Sequence, residues 1–174
     1  MNKELKLVKI DINYCNYLRQ FDNRVPYNYS KKQNRPFVGV LFEVQGCKYF
    51  AQLSSPKSKH VKIKSKIDFM KIDNGKLGAI NFNNMIPVDN KNIEYINFDI
   101  IKKSKEEKQY LKLLKEQLFW LNRRKEKIYN NSEEIYHRYT NNRLPRNIKD
   151  RCCNFPLLEE KCMEYNSIKT LQEA

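Results

Sequence analysis

The hydroxyls of Ser54 and Ser55, the ammonium groups of Lys57 and Lys59 and the imidazole of His60 fall within seven residues. No acid interrupts the stretch from Ser54 to Lys66, which also carries Lys62, Lys64 and Lys66, so a polyanion has a place to dock. Several chemistries drop out. There is no G-x-x-x-x-G-K-[ST] loop and no G-x-G-x-x-G, hence no cradle for a nucleotide cofactor. The few acids of the basic half are too scattered for a two-metal nuclease site, and no G-x-S-x-G elbow surrounds the serines. What remains is metal-independent scission of RNA, in which the substrate's own 2′-hydroxyl attacks the neighbouring phosphate. That reaction needs a proton acceptor, a proton donor and positive charge on a phosphorane-like transition state. Lys57 can supply the charge, the serines can orient oxygens, and His60 or Tyr29 can move the proton. The same residues also fit a solvated basic loop with two turn-forming serines, and on spacing alone that is the commoner outcome.

The elements that would position these groups follow from the hydrophobic pattern. Lys48–Leu53 alternates as a strand, which Pro56 must end near Ser54 or Ser55 because proline cannot extend a central ladder. Phe37–Val44 reads as a buried strand, joined to it by the two-residue hairpin signal Gln45-Gly46. Leu5–Ile10 reads as a first strand, with Asp11 capping a short helix over Ile12, Cys15 and Leu18. The polar segment from Val25 to Asn34, with Tyr27 and Tyr29, reads as a flexible loop of the kind that also carries ligand contacts. Ile67, Phe69 and Ile72 suit a strand or a short helix, and Asp73-Asn74-Gly75 a turn. Leu77–Phe82, a break at Asn83-Asn84, Met85–Val88 and Glu94–Ile101 complete five or six short strands, a compact, strongly bent antiparallel sheet or small barrel.

The second half is helical, which makes the class α+β. Ser104 and Glu107 form a capping box, and Leu111, Leu114, Leu118, Leu121 and Ile128 a stripe that must pack on the sheet. Arg123, Arg124, Lys125 and Lys127 crowd the end of that helix, where the dipole favours cations, a reading preferred to an RNA contact. Asn131 or Ser132 caps a second helix through Tyr139, Leu144-Pro145 interrupts, and a third helix starts at Asn154. Residues 1–166 are expected to form one domain and 167–174 a frayed tail.

Charge is unevenly spread. Residues 1–87 hold 16 Lys/Arg against 6 Asp/Glu, and residues 88–174 hold 18 against 14, within a total of +14. A basic first half and 11 tyrosines and 9 phenylalanines over 174 residues suit RNA, whose unstacked bases lie on aromatic faces. DNA or an anionic membrane is disfavoured by the lack of a recognition helix or an amphipathic basic anchor. No apolar run spans a membrane or resembles a signal peptide. Five cysteines with no CxxC, and two distant histidines, argue against a disulfide framework or metal site, so a cytoplasmic protein with reduced thiols and no cofactor is expected.

Blocks in series carry a resemblance: Tyr17-Leu18-Arg19-Gln20-Phe21-Asp22, Val25-Pro26, Arg35-Pro36-Phe37-Val38-Gly39, Lys48-Tyr49-Phe50-Ala51, and Leu53-Ser54-Ser55-Pro56-Lys57 with His60. Leu77-Gly78-Ala79-Ile80-Asn81, Met85-Ile86-Pro87-Val88, Asn154-Phe155 and Leu157-Leu158-Glu159-Glu160-Lys161-Cys162 continue it. Over residues 5–165 the chain resembles the ToxN/AbiQ endoribonucleases, toxins of type III toxin–antitoxin systems held inactive by a repetitive, pseudoknotted RNA. The resemblance implies a sheet related to the MazF/Kid barrel-like fold and metal-free cleavage of adenine-rich RNA, leaving 2′,3′-cyclic phosphate and 5′-hydroxyl ends. It places the catalytic motif on Ser54, Ser55 and Lys57, a basic residue on Arg35, and a loop tyrosine on Tyr29, with Tyr27 the alternative. Two departures, Ser54 for a threonine and Gln52 for a proline of some relatives, keep the hydroxyl and alter strand geometry. The partners implied are an mRNA substrate and the chain's own repeat-derived antitoxin RNA, in a closed ring of alternating protein and RNA. Lys31 and Lys32 with the Lys57–Lys66 run would form one RNA-holding groove, and Arg143, Lys149 and Arg151 a second patch.

Overall fold

The computed structural model describes residues 4–27, 35–100 and 104–173. Seven strands form one antiparallel sheet: β1 Lys6–Ile10, β2 Phe37–Gly39, β3 Glu43–Val44, β4 Cys47–Ser54, β5 Phe69–Lys71, β6 Ala79–Val88 and β7 Ile93–Tyr95. Their order is β5-β6-β4-β2-β1-β7, with β3 paired to β4. β5 and β7 are therefore edges, and the expected barrel-like closure is absent among the described residues: the sheet is open. Its pairing is irregular at one place. Lys48, Tyr49 and Phe50 pair with Val88, Pro87 and Ile86, but Gln52 pairs with Asn81, so the register jumps between Phe50 and Gln52. Such extra residues bend and twist a sheet. Asn83-Asn84, expected to break the strand, lie in this jump, and β6 runs through it as one strand.

The hairpin at Gln45-Gly46 forms as expected, both residues at positive φ (50° and 81°) between the paired Val44 and Cys47. The run Phe37–Val44 divides into β2 and β3 rather than forming one strand. Helix α1, Ile12–Arg19, starts at Asp11, whose carboxylate accepts from the Tyr14 amide at 2.8 Å. α2, Ser58–Lys62, is a short helix within the basic stretch.

Helix α3, Lys105–Asn122, opens on the capping box of Ser104 and Glu107. Its buried Gln117 donates to the Leu77 carbonyl at 2.7 Å, and Asn122 accepts from the Leu5 amide at 2.8 Å, which ties the helix to both ends of the sheet. The stripe expected to be continuous to Ile128 is broken at Arg124 (φ −129°, ψ 20°), and α4 already runs from Lys125 to Thr140. A one-turn α5, Arg146–Lys149, follows Pro145. α6, Phe155–Glu173, continues past Asn166, so the segment expected to be a frayed tail is helical through Glu173.

The core joins sheet to helices: Phe37, Phe50, Leu53, Ile80 and Phe82 from the sheet, Leu121, Ile128 and Ile135 from α3 and α4, Phe155 and Leu158 from α6. Burial of this apolar surface is the main favourable term. All five cysteines are buried and free. Among the described residues no helix is long and apolar enough to cross a membrane.

Candidate functional site

Ser54 is the last residue of β4, and Pro56 stops the strand as expected. Its Oγ accepts from Asn81 Nδ2 at 2.8 Å, across the β4–β6 ladder. The chain then turns so that the His60 amide donates to the Lys57 carbonyl at 2.8 Å, with Lys57 as the N-cap of α2. Two glycines hold this turn against the 3-10 segment Asp73–Gly75 and the start of β6. A Cβ on Gly78 would lie 2.0 Å from the Ser54 carbonyl oxygen, and one on Gly75 2.7 Å from the His60 carbonyl carbon. Both sit at positive φ (103° and 93°), where only glycine is at ease.

The result is a cleft of about 300 Å³ to which Ser54, Lys57 and His60 contribute, together with Lys59, Lys64, Lys66 and Arg151. Residues nearly a hundred positions apart thus meet. Arg151 arrives because Asn83 Nδ2 donates to its carbonyl and its guanidinium pairs with Asp68 at 2.6 Å. Of the residues expected in the second patch, Arg151 lines the same cleft as Lys57, Lys59, Lys64 and Lys66. Lys149 instead donates to Asn142 and lies over the Tyr139 ring, and Arg143 is exposed; neither lines the cleft. Ser55 is exposed at the turn, and Lys62 is exposed on α2 outside the lining.

Arg35 is half-buried ahead of β2. The β2–β4 register pairs Phe37 with Gln52, and the Leu53 amide donates to the Pro36 carbonyl, which carries the backbone before β2 toward the end of β4. Arg35 itself does not line the cleft, and its charge acts on Tyr110 of α3. Tyr29, Lys31 and Lys32 lie outside the described residues. Tyr27, the alternative to Tyr29, is 47% exposed beneath the Arg19 guanidinium at 4.3 Å and does not line the cleft.

His60 is unusual: 2% exposed, its ring 5.8 Å from that of Phe69, and its Nδ1 without a partner among the described residues. Burial, and then the charges of Lys57 and Lys59, hold its pKa below the ordinary 6.5, so the imidazole is neutral at neutral pH. A neutral imidazole can accept a proton, while the surrounding ammonium groups can stabilise an anionic transition state.

Sequence reasoning missed Asn81, Asn83 and Asp68 as site residues. Asn81 anchors Ser54, Asn83 anchors the Arg151 segment, and Asp68, 4% exposed, holds Arg151 through Oδ2 while Oδ1 has no partner among the described residues. The signal was present: Ala79, Asn81 and Asn83 alternate at the strand period, and the break assigned to Asn83-Asn84 concealed it.

The family model for the toxin ToxN of type III toxin–antitoxin systems matches residues 6–163. The chain is 35% identical to endoribonuclease ToxN of Bacillus thuringiensis subsp. kurstaki over 92% of its own length and 84% of that protein's. It is 30% identical to endoribonuclease AbiQ of Lactococcus lactis subsp. lactis, covering 97% and 93% of the two chains. Among solved structures, one of AbiQ, an anti-phage endoribonuclease of a type III system, superposes with a TM-score of 0.82 at 26% identity, over 95% of this chain and 99% of that one. Another, of a toxin selectively inhibited by a non-coding RNA pseudoknot, gives 0.79 at 32% identity over 94% and 99%. The chain belongs to the ToxN family of type III toxin–antitoxin toxins.

Proposed function

We propose that this chain is an endoribonuclease toxin that cuts RNA without metal in the Ser54–His60 cleft and is silenced by its own repeat-derived, pseudoknotted RNA. The observation that carries the reading is the meeting of Ser54, Lys57 and His60 in one cleft ringed by Lys59, Lys64, Lys66 and Arg151. In this reaction the 2′-hydroxyl loses its proton to a base, its oxygen bonds to phosphorus, and the 5′-oxygen leaves with a proton from an acid. The products are a 2′,3′-cyclic phosphate and a 5′-hydroxyl. Lys57 neutralises charge gathering on the non-bridging oxygens, and the Ser54 hydroxyl, fixed by Asn81, orients one of them. Neutral His60 or Tyr29 serves as proton acceptor.

Adenine-rich sites are the expected substrate in mRNA, and the biological role is defence against phage by abortive infection. The relatives named as endoribonucleases support the cutting of RNA, and the solved anti-phage endoribonuclease supports the defence role. A kinship of the sheet with MazF/Kid belongs to the same reading. So does a closed ring of protein and RNA, with Arg143 and Lys149, outside the cleft, offering a second basic patch to a neighbouring RNA. Light scattering with and without the processed repeat tests the ring, which a one-to-one complex would exclude.

The experiment for the activity is incubation with an adenine-rich RNA in EDTA. Cut RNA supports the reading. RNA bound but left intact identifies instead a non-catalytic RNA-binding module.

A further inference from the structure

The dipole of α3 accounts for Arg123, the C-cap of that helix, and for Arg124 next to it, but not for Lys125 and Lys127. These two fall in the first turn of α4, the positive end of its own dipole, with Glu126 between them. Charges placed against a dipole call for another purpose. The aromatic residues beside them are placed to match: the Arg124 guanidinium lies 4.2 Å over the half-buried Trp120 ring, and Arg123 lies 5.5 Å over Phe119, which is 66% exposed.

Two further clefts carry this junction to the site. One, of about 390 Å³, is lined by Lys66, Lys127, Glu134 and Arg138 and shares Lys66 with the Ser54–His60 cleft. The other, of about 300 Å³, is lined by Lys71, Asp73, Trp120, Arg124 and Lys127 and shares Ser65, Met70 and Lys127 with the first. The path so formed meets five cations, Lys66, Lys71, Arg124, Lys127 and Arg138, against the acids Asp73 and Glu134, and Glu134 is already paired to Arg138.

We propose that this path holds the single-stranded flank of the RNA whose reacting phosphate sits in the Ser54–His60 cleft, with one unpaired base stacked on the Arg124–Trp120 pair. Lys66, Lys127 and Lys71 bind successive phosphates. Guanidinium planes and aromatic rings both serve as stacking surfaces for splayed bases, and a paired base has no free face to offer them. The proposal rests on the ribonuclease reading for the identity of the ligand, but its test does not require cleavage.

Fluorescence anisotropy with uniformly 2′-O-methyl oligoadenylates, which lack the attacking hydroxyl, compares a tetranucleotide with a dodecanucleotide on the wild-type protein, Trp120→Leu and Lys127→Gln. Trp120→Leu is expected to weaken dodecanucleotide binding about tenfold, the scale of one lost stack, and the tetranucleotide far less. Lys127→Gln is expected to lower the salt slope of dodecanucleotide binding by about 0.7, one single-strand phosphate contact. Lys127 is exposed, so this variant decides the matter if Trp120→Leu does not fold. Equal loss at both lengths, or none at either, overturns the flank site. Cleavage by the wild-type protein in EDTA is scored separately: uncut RNA with a length-dependent loss would defeat the ribonuclease reading and keep the flank, and the converse would defeat the flank alone.

Discussion

The two ends of β4 satisfy their polar groups differently. At the first end Tyr49, fully buried, donates to Glu159 Oε1 at 2.7 Å within a cluster of Phe42, Tyr136 and Phe155, and Tyr14 donates to the Pro87 carbonyl at 2.6 Å. At the other end Gln52 Nε2, His60 Nδ1 and Asp68 Oδ1 are buried with no partner among the described residues. A buried polar atom left unpaired costs about 1–3 kcal/mol, so native structures keep few of them. Three of the five such atoms lie at this end, His60 and Asp68 lining the cleft itself; the other two, on Tyr17 and Gln117, lie away from it. The closed end is where stability resides, and the open end is where chemistry is expected.

Four perturbations sharpen or break that contrast. Lys57→Ala should cost roughly 2.7–4 kcal/mol of catalysis, the scale for one donor to a transition-state oxyanion, with a much smaller loss of RNA affinity. Single-turnover cleavage beside equilibrium binding measures both, and near-normal cleavage would remove Lys57 from the site. Gly78→Ala should lower stability by roughly 3 kcal/mol, because the new methyl meets the Ser54 carbonyl at a positive φ. Thermal melting should register about 2–4 °C for each kcal/mol in a chain of this size. An unshifted Tm would mean that β6 does not press on the turn.

Tyr49→Phe acts at the closed end and should cost about 1–3 kcal/mol through a buried Glu159 deprived of a donor, leaving cleavage per folded molecule as it was. A loss of cleavage without a loss of stability would erase the division between the two ends. Neutralising Lys62, Lys64 and Lys66 together should flatten the dependence of log affinity on log salt by about 2, at roughly 0.7 per contact. An unchanged slope would put the RNA elsewhere.

Acidity probes the open end from within. His60 has a pKa below 6.5 in the folded chain, so the unfolded chain binds the proton more readily. The stabilisation is therefore whole above about 6.5 and is lost as pH falls through the lower folded value. In urea titrations the stability of the wild type relative to His60→Gln should fall as the pH is lowered; a relative stability that rises in acid would contradict the burial of a neutral imidazole.

Much of this was legible in the chain because local rules acted alone. Pro56 ended β4, Gln45-Gly46 closed a hairpin, and Ser104 with Glu107 opened α3, each through a few adjacent atoms. The division of α3 from α4 was hidden, since no glycine or proline marks it and the apolar stripe runs on from Leu121 to Ile128. That concealment made Lys125 and Lys127, which open α4, look like the end of one long helix. The open sheet was likewise out of reach: whether β5 meets β7 is set by the order of strands, which no local pattern encodes. That Arg151 reaches the cleft was out of reach for the same reason, its position being decided by Asn83 and Asp68.

The central claim is that the Ser54–His60 cleft turns the substrate's 2′-hydroxyl on the neighbouring phosphate. The direct test gives the protein, in EDTA, an adenine-rich RNA and the same sequence as all-2′-deoxy strand. The account predicts that the RNA alone is cut, with 2′,3′-cyclic phosphate and 5′-hydroxyl ends. Cutting of the deoxy strand, or RNA cleavage that appears only when a divalent metal is restored, would contradict it.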